Sequence, residues 1–216
     1  MPPDTADGSV EPMGGGNPLA GVAIAEVITN RDDTNQGRVQ LRLPWMPGVE
    51  PWARVASGSA GPNRGIYFIP QVGDEVLVAF QHGDVRDPYI VGTLWNAKDL
   101  PPGTAPLDPV EKRFIRTPAG HEIVMDDKAK SVTVRTCDGH TIVMDPDAVE
   151  VVTKGGTASV RLEASGSVLV KADVKIELKA PSITLDATTL EMKSSASASL
   201  NGGGVCEIKA GLVKIN

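Results

Sequence analysis

From Ile115 to Asn216 the chain contains no Phe, Trp or Tyr, and all eight of its aromatic residues lie before that point. The segment is not polar filler. It carries short alternating runs such as Val168-Leu169-Val170, Val174-Lys175-Ile176-Glu177-Leu178, Ile183-Thr184-Leu185, Leu190-Glu191-Met192 and Val213-Lys214-Ile215. A lone series of short alternating strands cannot bury its apolar side. It needs neighbours, stacked along an axis or supplied by other chains. The C-terminal half is therefore expected to be a narrow, rigid β-rod intertwined from several copies, a mechanical part rather than an enzyme.

The rod contains an internal repeat. Gly120-His121-Glu122-Ile123-Val124-Met125-Asp126 recurs 19 residues later as Gly139-His140-Thr141-Ile142-Val143-Met144-Asp145. Each copy leads through a short turn into another strand, which is the mark of a hairpin or a solenoid coil. Beyond Gly155 the period shortens. Ile176, Ile183 and Leu190 are seven apart, as are Val205 and Leu212. Seven-residue spacing also suits a coiled coil. Here Val, Thr, Ser and Gly abound, and Pro181 and Gly202-Gly203-Gly204 interrupt the segment, so strands with tight turns are favoured over a long helix.

The remaining chain divides by composition. Residues 1–18 hold four prolines and the run Gly14-Gly15-Gly16, as a flexible arm would. Residues 19–96 have the pattern of an antiparallel OB-type barrel. Strands are expected at Val22 to Thr29, Arg38 to Leu43, Ala53 to Ala56, Ile66 to Ile69, Glu75 to Phe80 and Tyr89 to Leu94. Trp45, Trp52, Tyr67, Phe68, Phe80, Tyr89 and Trp95 are expected to supply its core and its contacts. Residues 97–116 form a Pro-rich linker, and residues 117–216 form the rod. The fold class is all-β.

Charge narrows the function. The formal net charge is −6, with 21 Lys and Arg against 27 Asp and Glu. Acidic residues also outnumber basic ones between Leu19 and Asn96. Binding to nucleic acid or to an anionic membrane surface calls for a basic face. No stretch approaches the ~20 apolar residues of a membrane-spanning helix. The N-terminus lacks a positive region followed by an apolar core, so the chain is expected to stay in the cytoplasm or to leave without a signal peptide. Cys137 and Cys206 are too far apart for a zinc site and are expected to be reduced, buried thiols. His82, His121 and His140 have no acidic or cysteine ligands at fixed spacing and are expected to be solvent-facing turn or strand residues. Asp126-Asp127 and Asp145-Pro146-Asp147 look like fragments of calcium loops, but acidic turns are commonplace. No nucleophile elbow, phosphate loop or catalytic triad order is present. No cofactor, metal or catalytic residue is expected.

One stretch carries a family resemblance. It runs Arg64-Gly65-Ile66-Tyr67-Phe68-Ile69-Pro70-Gln71-Val72-Gly73-Asp74-Glu75-Val76-Leu77-Val78-Ala79-Phe80, then Gly83-Asp84, Asp87-Pro88, Ile90-Val91-Gly92 and Leu94-Trp95-Asn96. It closely resembles the OB domain of the central spikes of contractile injection machines. These include phage baseplate assembly protein V, the VgrG proteins of type VI secretion, and the spikes of R-type pyocins and extracellular injection systems. Arg116-Thr117-Pro118-Ala119-Gly120-His121-Glu122-Ile123-Val124-Met125-Asp126-Asp127 is similar to the entry of that family's β-helix.

The resemblance implies a homotrimer whose OB domains form a collar on the baseplate hub, with a triangular β-prism below that leads the particle through the target cell envelope. Small aliphatics would fill the prism axis, for which Ile176, Ile183, Leu190, Val205 and Leu212 are the candidates. Lys171, Asp173, Lys175, Glu177, Lys179, Glu191, Lys193 and Lys214 would face outward. About 18 residues precede the barrel, so the hub is expected to be a separate protein. Only a linker follows the barrel where some phage spikes carry a lysozyme domain, so the chain is not expected to digest peptidoglycan. The last histidine is His140, so the His-x-His iron tip of some spikes is not expected. Leu212, Val213, Ile215 and Asn216 would instead contact a PAAR-type tip protein. A short spike of this kind fits a phage-type or extracellular particle better than type VI secretion. The alternative is an OB-fold nucleic-acid-binding protein with a β-solenoid extension, which the charge balance and the long rod disfavour. A polysaccharide-cleaving tail protein would need paired carboxylates and aromatic platforms, and the rod has no aromatics.

Overall fold

The computed structural model describes residues 21–103 and 110–215. They fall into two compact units, divided at the Cys137–Asp138 bond. The first unit begins with five strands: β1 (Val22–Thr29), β2 (Val39–Arg42), β3 (Trp52–Val55), β4 (Glu75–Phe80) and β5 (Pro88–Leu94). They close into a barrel in the order β1-β2-β3-β5-β4. All pairings are antiparallel except β3 with β5, which run parallel. This is the five-stranded OB arrangement expected from the alternating runs.

Period-two alternation explains the core. Ala25, Val27, Val39, Leu41, Leu43, Ala53, Val76, Val78 and Ile90 point inward and are buried. Every one is aliphatic, which corrects the expectation that the aromatics fill the barrel. So small a barrel is filled by one inward aliphatic per strand pleat, leaving no space for an indole or phenol ring. Tyr67, Phe68 and Trp95 are exposed, and Trp45 packs edge-on against Phe80, ring centres 6.0 Å apart.

The strand expected at Ile66 to Ile69 does not form. Those residues follow a tight turn in which Gly61 and Arg64 exchange backbone hydrogen bonds of 3.1 and 3.2 Å. The barrel is closed by five strands and has no free edge for a sixth, so the segment stays an extended surface loop. Only Ile69 packs against the core.

The β1–β2 connection is organised by Asp32. Its carboxylate accepts hydrogen bonds from the Thr34 hydroxyl (2.6 Å) and from the backbone N–H groups of Thr34, Gln36 and Arg38. It also pairs with the Arg38 guanidinium at 3.1 Å, and its side chain is 5% exposed. The Arg38 guanidinium, then the Thr34 hydroxyl, hold the Asp32 carboxyl well below the usual carboxylate range.

The rest of the first unit comprises β6 (Lys112–Arg116), β7 (Glu122–Asp126) and β8 (Ser131–Arg135). The second unit comprises β9 (Thr141–Met144), β10 (Ala148–Val152), β11 (Ala158–Glu163) and β12 (Val168–Ala172). Within the first unit β6, β7 and β8 pair in sequence order, and within the second β9, β10, β11 and β12 do the same, all antiparallel. The 19-residue repeat appears as two equivalent turns. Gly120 and Gly139 adopt φ of +95° and +94°, a region that favours glycine. The following histidines cap the next turn: Nδ1 of His121 accepts the Cys137 N–H at 3.2 Å, and Nδ1 of His140 accepts the Lys154 N–H at 3.1 Å. These two side chains thus serve as turn caps, a role beyond the plain surface position expected for them.

From Asp173 to Ile215 the described chain forms no strand, although alternating runs at 174–178, 183–185, 190–192 and 213–215 predicted several. The residues have no sheet partner within one copy. Cys137 and Cys206 are both free and exposed, which corrects their expected burial. Among the described residues no helix is long and apolar enough to cross a membrane.

The Asp32 network gives a pH prediction. A carboxyl whose folded value is depressed contributes stability above its ordinary range of about 4, and loses it as pH falls toward the folded value. Asp32→Asn is expected to be less stable than the native chain at pH 7, with the gap narrowing below about pH 4. Urea unfolding followed by tryptophan fluorescence, from pH 7 down to pH 3, checks this.

Candidate interaction faces

The second unit presents an apolar face. Val149 pairs with Met144 and with Leu162, which pairs with Val168. Two residues along, Ile142, Val151, Val160 and Val170 stand opposite one another in the same way. Side chains two apart on a strand, and directly opposite across strands, share a face. The sheet β9–β12 therefore carries two parallel rows of four aliphatic residues. They are 38% to 64% exposed in a single copy.

The opposite face mixes charged and aliphatic side chains. Val143, Glu150, Arg161 and Leu169 form its central row. Arg161 reaches Glu150 at 3.1 Å and Glu163 at 3.4 Å. Of all buried hydrophobic residues described, Ala148 alone lies outside the barrel. The sheet thus has no hydrophobic core of its own.

In the first unit β6–β8 repeat the pattern on a smaller scale. Ile115, Ile123 and Val134 form one cross-strand row. Charged flanks pin the register: Lys112 meets Asp126 at 3.6 Å, and Glu122 meets Arg116 at 3.6 Å and Arg135 at 3.7 Å.

The axis candidates Ile176, Ile183, Leu190, Val205 and Leu212 all lie on the unpaired C-terminal segment and are more than half exposed. Single-copy geometry does not bring them together. Alternation separates them from charge: Lys175 and Lys179 both pair with Glu177, Lys193 pairs with Glu191 at 2.8 Å, and Lys209 pairs with Glu207 at 2.7 Å. Leu212, Val213 and Ile215 are exposed as well. Asn216 falls outside the described residues.

The groups that suggest chemistry have local partners. Asp126 accepts the Ala129 N–H at 2.8 Å, and Asp145 accepts the N–H groups of Asp147 and Ala148, each at 2.8 Å. These backbone donors hold both carboxyls below the usual range, the Ala129 and Ala148 N–H groups contributing most. They are the turn caps of the repeat. Among the described residues no group of three or more His, Cys, Asp or Glu is placed to hold a metal ion.

Comparison with known proteins finds two matched segments. Residues 23–95 match the type VI secretion system/phage-baseplate injector OB domain. Residues 112–173 match the phage baseplate V C-terminal trimerisation domain. The chain belongs to the VgrG-like baseplate spike proteins. It is 34% identical over 108 residues to the type VI secretion system spike protein VgrG3 of Vibrio cholerae, covering 45% of this chain and 10% of that one. It is 33% identical over 105 residues to VgrG1a of Pseudomonas aeruginosa, covering 43% of this chain and 16% of that one. It is also 41% identical over 76 residues to the actin cross-linking toxin VgrG1 of Vibrio cholerae, covering 32% of this chain and 7% of that one. The chain thus spans a small part of the length of these relatives.

The trimerisation match covers the two apolar rows, which the sequence reading passed over in favour of the seven-residue spacing farther on. The signal was present as four i, i+2 aliphatic pairs: Ile142 and Met144, Val149 and Val151, Val160 and Leu162, Val168 and Val170. Val151 sits inside one row, so Val151→Asp sets a carboxylate in the middle of the face. Chemical cross-linking of the native chain is expected to trap multimers, and Val151→Asp is expected to yield mainly monomer with the barrel still folded.

Proposed function

We propose that three copies of this chain form the central spike of a contractile baseplate, a structural part with no catalytic role of its own. The observation that carries the reading is the pair of exposed aliphatic rows on a sheet without a core, within the residues that match a trimerisation domain. An apolar face of eight large side chains stays in solution poorly unless it is covered. A three-fold arrangement covers it with two further copies of itself.

In this reading the chain is organised as a barrel over residues 19–96, a linker ahead of Lys112, and an interwound β-helix that begins with β6 at Lys112 rather than at the expected Thr117. The barrel joins the spike to a separate hub protein. The segment beyond Asp173 gains its strand partners from neighbouring copies. Ile176, Ile183, Leu190, Val205 and Leu212 fill the axis while the paired lysines and glutamates face outward. Leu212, Val213, Ile215 and Asn216 seat a PAAR-type tip protein. The particle assembles in the cytoplasm of the producing cell, and contraction drives the rod into the target envelope. Its stiffness comes from backbone hydrogen bonds between chains, which leave few open strand edges. Nucleic acid is not a partner in this account.

Two experiments test it. Gold labelling of an affinity-tagged chain in purified particles is expected to mark the axial position at the baseplate end. Label spread along the tail tube, or a chain absent from sedimenting particles, sinks the assignment. Separately, Ile183→Asp places unpaired charges on the axis, and each buried unpaired polar group costs several kcal/mol. The variant is expected to lose its heat-resistant assembly, and one that keeps it shows that Ile183 does not point inward.

A further inference from the structure

The barrel carries a second candidate site, which the spike reading does not use. A cleft of about 260 Å³ is lined by Gln36, Arg38, Trp52, Arg54, Asp87 and Pro88. Gln36 comes from the β1–β2 loop, Arg38 from just before β2, Trp52 and Arg54 from β3, Asp87 from the β4–β5 connection, and Pro88 from the start of β5. That is the face by which OB barrels hold oligonucleotides and oligosaccharides, over strands 2 and 3 and between these two loops.

Both arginines are set in position. Arg38 lies 5.5 Å from the centre of the Trp52 ring and is anchored from behind by Asp32. Arg54 lies 4.3 Å from the centre of the Tyr89 ring and donates to the Tyr89 hydroxyl, which in turn donates to the Gln81 side-chain carbonyl. Among the described residues no carboxylate pairs with Arg54. Its guanidinium is therefore held in place with its charge unmatched by a protein acid.

We propose that this cleft binds an acidic sugar, a uronic-acid-like unit of a surface glycan. The sugar's C–H face lies against the open part of the partly buried Trp52 indole, since the face of an aromatic ring is its negative side. The sugar carboxylate meets the Arg54 guanidinium in a charge-assisted hydrogen bond. Its hydroxyls meet the Asp87 carboxylate as acceptor and the Gln36 amide as both donor and acceptor. The volume suits a single ring, being below the ~300–1,000 Å³ of drug-sized ligand sites. Nucleic acid is the other ligand class of OB barrels, and the surroundings disfavour it. The barrel sequence from Leu19 to Asn96 contains no lysine to track a phosphate backbone.

Calorimetric titration of the full chain tests this with three probes: trigalacturonate, the neutral maltotriose and an oligothymidylate. Trigalacturonate is expected to bind, more weakly as salt rises, with maltotriose and oligothymidylate far weaker. Arg54→Gln, an exposed substitution that leaves the core untouched, is expected to weaken trigalacturonate binding about tenfold or more. Arg64→Gln, outside the cleft, is expected to leave it unchanged. Preference for oligothymidylate, equal affinity for maltotriose, no binding by any probe, or unchanged affinity in Arg54→Gln each overturns the proposal. A failure here leaves the spike assembly untouched, because that is read from mass and particle position.

Discussion

A β-sheet with no core of its own is the constraint on which the rest of this protein depends. From β6 to β12 the chain makes seven strands, yet the only buried hydrophobic residue in that region is Ala148. Backbone hydrogen bonds hold the strands together, but hydrogen bonds alone contribute little net stability in water. Burial of apolar area is what offsets the entropy of ordering a chain. The two rows from Ile142 to Val170 and from Met144 to Val168 supply that area only when something covers them.

The barrel solves the same problem alone. Nine inward aliphatics converge in a closed ring, and the aromatic residues sit around it, with Phe80 packed against its edge. Trp52 and Tyr89 hold arginines in place, Trp45 braces Phe80, and Tyr67 and Phe68 ride on a surface loop. The rod avoids aromatics for a related reason. In the proposed spike a narrow axis shared by three identical chains would repeat every side chain around it, and small aliphatics fit where three copies of a wide ring would not. Charged residues in i, i+2 pairs keep the other side of each extended run in water.

Much of this was legible in the sequence. The strands at Val22–Thr29 and Glu75–Phe80 match expectation at both ends, because clean alternation was bounded by turn residues. The repeat at Gly120 and Gly139 pointed to equivalent turns, and the structure gives them equal backbone conformations. Ile66–Ile69 misled because its composition suits a strand while the closed barrel has no edge to receive it. The apolar rows were hidden for a different reason. Each aliphatic pair is visible along the chain, but which pairs stand opposite one another is a property of strand register, and register is set by turns. The arginine cleft was hidden likewise, since Arg38, Arg54 and Asp87 converge only when β2, β3 and the β4–β5 connection close the barrel.

The account stands or falls on whether one chain completes its sheet with two others. The direct measurement is the solution mass of the purified chain by light scattering, followed by electrophoresis in SDS with and without heating. An interwound spike predicts about 68 kDa, three times the 22.6 kDa of one chain, and a band that resists SDS until heated. A 22.6 kDa species in solution would contradict it, leaving a single-chain solenoid joined to an OB barrel.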